Sequence, residues 1–220
     1  MLPNHMPRNP ARAALAAALA AALALSAASC SIFNRDAPKG ASYILMPQPA
    51  APAAGDRLGS IVVGRYGAMP PFDGRMFLFR MPDQRWRNDP YNGFIADPAD
   101  MLCDLTARAF EDSGRFSDVV IEGAVVRVEL GAEGVLEQFF ADYSDRANPM
   151  AVVRLRVYIV DRRGARSELV VQTVGQARTP IKGDGAGAVA DAFSAAAGEA
   201  LAQVVTQLPK SMPEAPKSAK

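Results

Sequence analysis

The side chains that most often carry chemistry are scarce in this sequence and unevenly placed. Its 220 residues hold one histidine, His5, and two cysteines, Cys30 and Cys103. His5 lies upstream of an apolar run, Ala13–Cys30 (AALAAALAAALALSAASC), with Arg8 and Arg12 before it and no acid in that segment. A basic start, a short apolar stretch and small residues at its end form an export signal that is cut away. Cleavage before Cys30 leaves a mature chain with no histidine. That removes Ser-His-Asp and Cys-His nucleophile arrangements and His-ligated metal sites. Cys103 alone builds neither a zinc site nor an internal disulfide. Paired carboxylates remain an acid–base option, but no spacing of Asp and Glu singles out a pair. The composition points away from an enzyme, and nothing in it calls for a cofactor or a metal.

Cys30 is the residue with the most specific chemistry. The run Leu25-Ser26-Ala27-Ala28-Ser29-Cys30 resembles a bacterial lipobox, in which small residues precede a Cys that is lipidated and becomes the first residue of the mature protein. Ala27 stands where a larger aliphatic residue is usual, with Leu25 two positions earlier. Two other readings compete. A membrane-spanning helix needs about 20 apolar residues, and Ala13–Ser29 is shorter and mostly Ala. Secretory cleavage after Ala27-Ala28-Ser29 would instead release a soluble periplasmic protein. A lipid anchor differs physically from both. One chain gives reversible membrane binding at about 0.8 kcal/mol per buried methylene, and several chains make attachment effectively permanent. In lipoproteins of this kind a neutral residue after the Cys, here Ser31, implies sorting to the outer membrane, with the domain on its periplasmic face.

The segmentation follows: 1–29 signal peptide, 30–41 flexible tether, 42–208 folded domain, 209–220 disordered tail. Removing residues 1–29 leaves 191, enough for one domain with a sizeable core. The 24 Lys and Arg, less Arg8 and Arg12, become 22 against 23 Asp and Glu. A near-neutral chain without a basic run gives no argument for nucleic acid.

Hydrophobic periodicity predicts strands at Ser42–Met46, Ser60–Tyr66, Arg75–Met81, Phe116–Ile121, Ala124–Leu130, Met150–Asp161 and Ser167–Gln176. Val135–Tyr143 fits helix or strand, and its aromatic content and place between strands favour strand. Asp83–Phe94 (DQRWRNDPYNGF) reads as a loop, with Asn92-Gly93 as a turn signal. Asp97-Pro98 opens an amphipathic helix that Gly114 ends, with Cys103 at the margin of its apolar arc as a packing residue. Thr179–Gly187 is a loop; its Gly-rich end lacks the Lys-Ser/Thr of a phosphate loop. Ala188–Leu208 is a second helix with one stripe, Val189, Phe193, Ala197, Leu201, Val204, Val205 and Leu208. The alternating Arg154 and Arg156 read as a solvated sheet face. This order predicts an α+β fold of one domain, with a single antiparallel β-sheet covered by two amphipathic helices.

The same residues carry a family resemblance. SYILMP shortly after the Cys, the strand Phe77-Leu78-Phe79-Arg80, the loop Asp89-Pro90-Tyr91-Asn92-Gly93-Phe94, Pro98 at a helix start, and Gly114-Arg115-Phe116 follow one another in order. Over Ser42–Leu208 this order resembles the ABC-type transport auxiliary lipoproteins, the PqiC-like group. Phe79, where Tyr is common, and the long Pro/Ala segment after Pro47 are departures. The resemblance implies an outer-membrane-anchored, periplasmic accessory subunit of an MCE-type ABC system that moves phospholipid or other hydrophobic molecules between membranes. It implies an MCE-domain protein and the ABC permease/ATPase complex as partners, and docking rather than catalysis. The alternative is another envelope lipoprotein, an assembly factor or an enzyme activator. Phe77, Phe79, Arg80, Trp86, Tyr91 and Phe94 are the candidate partner or lipid contacts and Cys30 the lipid-attachment residue; homo-oligomerisation is left open.

Overall fold

The computed structural model describes residues 40–49, 51–123, 128–164 and 166–211. The signal, Cys30 and the tail beyond Ser211 lie outside them, as do four positions of the strand expected at Ala124–Leu130.

Three long strands form the frame. β7 (Leu130–Asp142), β8 (Met150–Asp161) and β9 (Glu168–Pro180) pair antiparallel in succession. Along β8, Val153, Leu155, Val157 and Ile159 are buried while Arg154, Arg156 and Tyr158 between them are half-buried, as their alternation dictates. Val135–Tyr143 is strand, within β7.

The other edge of β7 is shared by three short strands. β2 (Ser60–Val63) pairs with its beginning, β3 (Gly67–Ala68) with its middle and β4 (Met76–Arg80) with its end, all parallel to it. β6 (Asp118–Ile121) joins β2 in parallel, β5 (Trp86–Phe94) joins β4 antiparallel, and β1 (Ala41–Tyr43) joins β5 in parallel. The sheet is therefore mixed, which corrects the single antiparallel sheet expected from the sequence. The physical reason is the path of the chain between Ser60 and Arg80. It steps along β7 through bends without reversing, so each piece runs the same way as the last.

A second correction concerns Asp83–Phe94. Most of it is strand β5, although its turn signals are real. Met76 pairs with Gly93 and Leu78 with Asn88, so residues 89–92 bulge out of the ladder. The Asp89 carboxylate folds that bulge by accepting the backbone N–H groups of Tyr91 (2.9 Å) and Asn92 (3.0 Å) and the Asn92 amide (2.9 Å). Pro90, which would break a ladder, sits inside the bulge. Gly93 re-enters the strand where a Cβ would stand 2.5 Å from the Arg75 carbonyl oxygen.

Two helices cover one face. α1 (Pro98–Ser113) starts with Pro98 after an extended Asp97 whose side chain makes no capping bond, and ends at Gly114 in the left-handed region, φ 67°. Cys103 is buried and its thiol points at the Gly64 carbonyl (3.0 Å); burial, with Asp104, Asp100 and Glu122 nearby, raises its pKa. α2 (Ala186–Thr206) buries the expected stripe against β8 and β9. It is long and apolar enough to cross a membrane, but its packed face is that of a core helix. At Gly175 of β9 a Cβ would lie 2.0 Å from the Ala200 carbonyl oxygen, so only glycine admits this approach. Beyond it, the Gln203 and Gln207 amides bond the backbone of Gln176 and Val174 and close that part of the β9 edge.

Candidate docking site on the open sheet face

Alternation along β4 and β7 sorts the aromatic residues between two faces. Phe77 of β4, Phe94 of β5 and Phe139 of β7 point toward the helices and meet Phe193 of α2, with ring centroids 4.3 to 6.1 Å apart. Phe77 and Phe94 are buried there. Phe79, half-buried, packs edge-on against Tyr143 at 5.6 Å.

Leu78, Phe140 and Val152 point to the opposite face and form a second, smaller apolar cluster with Phe72 beside it. Trp86, across the ladder from Arg80, stands edge-on to Phe140 (5.0 Å) and Phe72 (6.2 Å) and remains 44% exposed. Among the described residues no helix lies over this face, so the indole is a fixed, partly open platform.

Asp142 holds the patch in place. It follows Phe140 by two on β7, faces Arg80 in the parallel ladder and is 2% exposed. Arg80 donates to both of its oxygens, through Nε at 3.0 Å and through its terminal NH2. Arg178 of β9 adds a bond at 2.9 Å, and Ser144 adds its hydroxyl (2.7 Å) and backbone N–H (3.1 Å). Burial alone would push this carboxyl up. The donors from Ser144, Arg80 and Arg178 outweigh it and hold the pKa well below the usual carboxylate range. Fixed in this way, the Arg80 guanidinium lies 5.4 Å from the centre of the Phe140 ring. Two arginines on one acid leave a local excess of positive charge next to an exposed Trp.

Further along this face Glu137 accepts from both Arg154 (2.6 Å) and Arg156 (2.5 Å). The arginine stripe is thus tied to an acid, as befits a solvated sheet surface.

The six candidate contacts therefore separate. Arg80 and Trp86 lie together on the open face, Phe77 and Phe94 in the core, and Phe79 at its margin. Tyr91 is exposed on the β5 bulge beside Gly40. Phe72, Phe140 and Asp142 belong to the patch and were not singled out in the sequence. The pair Phe139-Phe140 held a usable signal, because neighbours in a strand must face opposite ways. Among the described residues no group of three or more His, Cys, Asp or Glu is placed to hold a metal.

No protein-family model matches the sequence, and no curated protein is significantly similar to it. Solved structures are similar. Protein XCC0632 from Xanthomonas campestris, described under the family model DUF330, superposes with a TM-score of 0.61 at 23% identity, over 76% of this chain and 91% of that one. A protein described only as uncharacterized gives 0.57 at 9% identity, over 76% and 97%. PelC from Paraburkholderia phytofirmans, solved as a dodecamer, gives 0.42 at 15% identity, over 72% and 92%. At these identities the likeness is one of architecture: the chain has the fold of the DUF330 protein from Xanthomonas campestris.

Proposed function

We propose that this chain is an envelope lipoprotein, held through Cys30 at the periplasmic face of the outer membrane, that serves an MCE-type ABC system moving phospholipid or other hydrophobic molecules. It acts by docking and performs no catalysis. The observation that carries the docking reading is the open-face patch: an exposed Trp86 braced by Phe72 and Phe140, beside an Arg80 fixed by Asp142. Trp and Arg in one rigid patch are the residue types that dominate binding hot spots. Little ordering entropy remains to be lost when such side chains are already held. The partner is the one that the family resemblance over Ser42–Leu208 implies; the DUF330 protein from Xanthomonas campestris shares the fold alone.

The test is chemical crosslinking in cell envelopes followed by affinity purification of the full lipidated chain. The wild type is expected to recover an MCE-domain protein. Trp86→Ala, on an exposed side chain, is expected to lower that recovery by about tenfold or more while the chain stays folded. Repeated recovery of no MCE-domain protein would overturn the reading.

A further inference from the structure

Large exposed apolar side chains follow the ends of β1 and β5, where the chain after β1 passes to the helix layer and the Met46 N–H bonds the Ser194 hydroxyl of α2 (3.0 Å). Ile44, which follows β1, is 57% exposed, Met46 is 73% exposed and Ile95, which follows β5, is 63% exposed. β1 and β5 run in parallel with Tyr43 opposite Phe94, and the Ile95 N–H bonds the Tyr43 carbonyl (2.8 Å). Ile44 and Ile95 are therefore neighbours on the outer side of the strand ends, while Tyr43 and Phe94 face the core. The backbone of Tyr91, whose side chain is exposed, lies beside Gly40. A groove of about 320 Å³ opens beside it, bounded by Ile44, Leu45, Met46, Leu105, Ala109 and Leu201. The Arg75 guanidinium reaches the Ile95 carbonyl oxygen (3.4 Å), with Asp97 3.9 Å from it. Arg108 and Asp112 stand at the groove. The rim is thus apolar, with mixed charge at its margin.

Cys30 precedes Gly40 by ten residues. Ten residues of any conformation reach at most about 35 Å, comparable to the width of a domain of this size. The described chain enters at β1, so the β1 end is the part of the domain joined to Cys30 by the fewest residues. Contiguous apolar surface on a soluble domain marks an interaction site, and tethering raises the effective concentration of a weak surface contact to the millimolar range.

We propose that Ile44, Met46 and Ile95 form a membrane-seating surface, which rests in the interfacial layer of the bilayer that holds the Cys30 lipid. This rests on the lipid-anchor reading of Cys30. It orients the domain, because Trp86 stands at the opposite end of β5, about 20 Å from Ile95 once the 89–92 bulge is left out of the ladder. The membrane contact and the docking patch then occupy opposite ends of one strand, which leaves Trp86 turned toward the periplasmic space.

The single native Trp makes the test direct. The full lipidated chain is reconstituted into vesicles of phosphatidylethanolamine and phosphatidylglycerol, with or without bromine on the acyl chains. In Trp86→Phe/Ile95→Trp, bromine is expected to reduce emission about twofold, since interfacial side chains lie 5–10 Å into the headgroup and acyl boundary. In the wild type, Trp86 emission is expected to be unchanged. Vesicle-bound protein whose Trp at position 95 ignores bromine overturns the proposal, and emission there that instead follows protein concentration assigns the rim to a second copy. Flotation of Cys30→Ser separates the two readings. Loss of flotation supports the anchor, whereas flotation equal to wild type overturns the anchor reading and the seating proposal with it.

Discussion

Replacing Arg115 by alanine is expected to lower the unfolding free energy by about 3–4 kcal/mol, among the largest single-residue effects in this fold. Arg115 follows the Gly114 cap of α1 and is 2% exposed. Among the described residues its guanidinium has no carboxylate partner. It donates instead to backbone carbonyl oxygens, Asp56 at 3.0 Å, Pro209 at 2.5 Å and Lys210 at 3.2 Å. Backbone bonds bind the same pieces of chain: Ala53 N–H to Ser113 (3.1 Å), Asp56 N–H to Lys210 (3.0 Å) and Leu58 N–H to Arg115 (2.7 Å). One side chain thus joins the approach to β2, the end of α1 and the segment after α2. Gly55, at φ 134°, leaves the room it needs, since a Cβ there would lie 2.6 Å from the guanidinium carbon. Truncation removes the buried donor that these three carbonyl groups share. Lysine restores only part of the loss, because a point charge cannot serve acceptors spread around a planar fork. For a domain of this size the fall in melting temperature is about 6–15 °C. Circular dichroism melts of wild type and Arg115→Ala check it, and a fall under about 3 °C contradicts the assignment.

Asp142→Ala is expected to cost about 3 kcal/mol at neutral pH. The variant removes the shared acceptor of Arg80, Arg178 and Ser144. Both arginine side chains reach solvent, 31% and 47% exposed, which keeps the loss at the lower end for a broken ion pair. The pH dependence carries a definite sign. Asp142 has its pKa depressed in the folded state, so its contribution is complete above the unfolded aspartate value of about 3.9 and is lost as pH falls toward the lower folded value. Urea unfolding should therefore show a wide gap between wild type and Asp142→Ala at pH 7 and a narrower one at about pH 3. A gap equal at both, or absent at pH 7, would refute the role of this carboxylate. The same variant frees Arg80 from its position over Phe140, so it should weaken docking as well as stability.

These two residues also mark what the sequence could not reveal. Arg115 was visible as part of Gly114-Arg115-Phe116, but its acceptors lie 59 to 95 positions away. Asp142 receives arginines from 62 and 36 positions away, and no local pattern announces such a meeting. Features set by neighbours in sequence were legible. Met150–Asp161 is β8 to the residue, Asp97-Pro98 begins α1, and the apolar stripe of α2 is the buried one. Strand direction was not, because side chains alternate identically in parallel and antiparallel ladders. Asp83–Phe94 misled for a different reason. Its Pro90 and Asn92-Gly93 describe the bulge correctly and hide the strand on either side. For the site, Arg80 and Trp86 were legible as residue types suited to an interface. Their separation from Phe77 and Phe94 needed the fold, which turns alternate positions of β4 to opposite faces.

As proposed, the patch at Trp86 faces a partner and the rim at Ile95 a membrane. The first is the central claim, and site-specific photocrosslinking in intact cells tests it most directly. A photoreactive aromatic residue replaces Trp86 in the lipidated chain, and the control carries it at Ile121, exposed on the distant edge strand β6. A crosslink to an MCE-domain protein is expected from position 86 and none from position 121. No crosslink from position 86, or equal crosslinking from both, would contradict it.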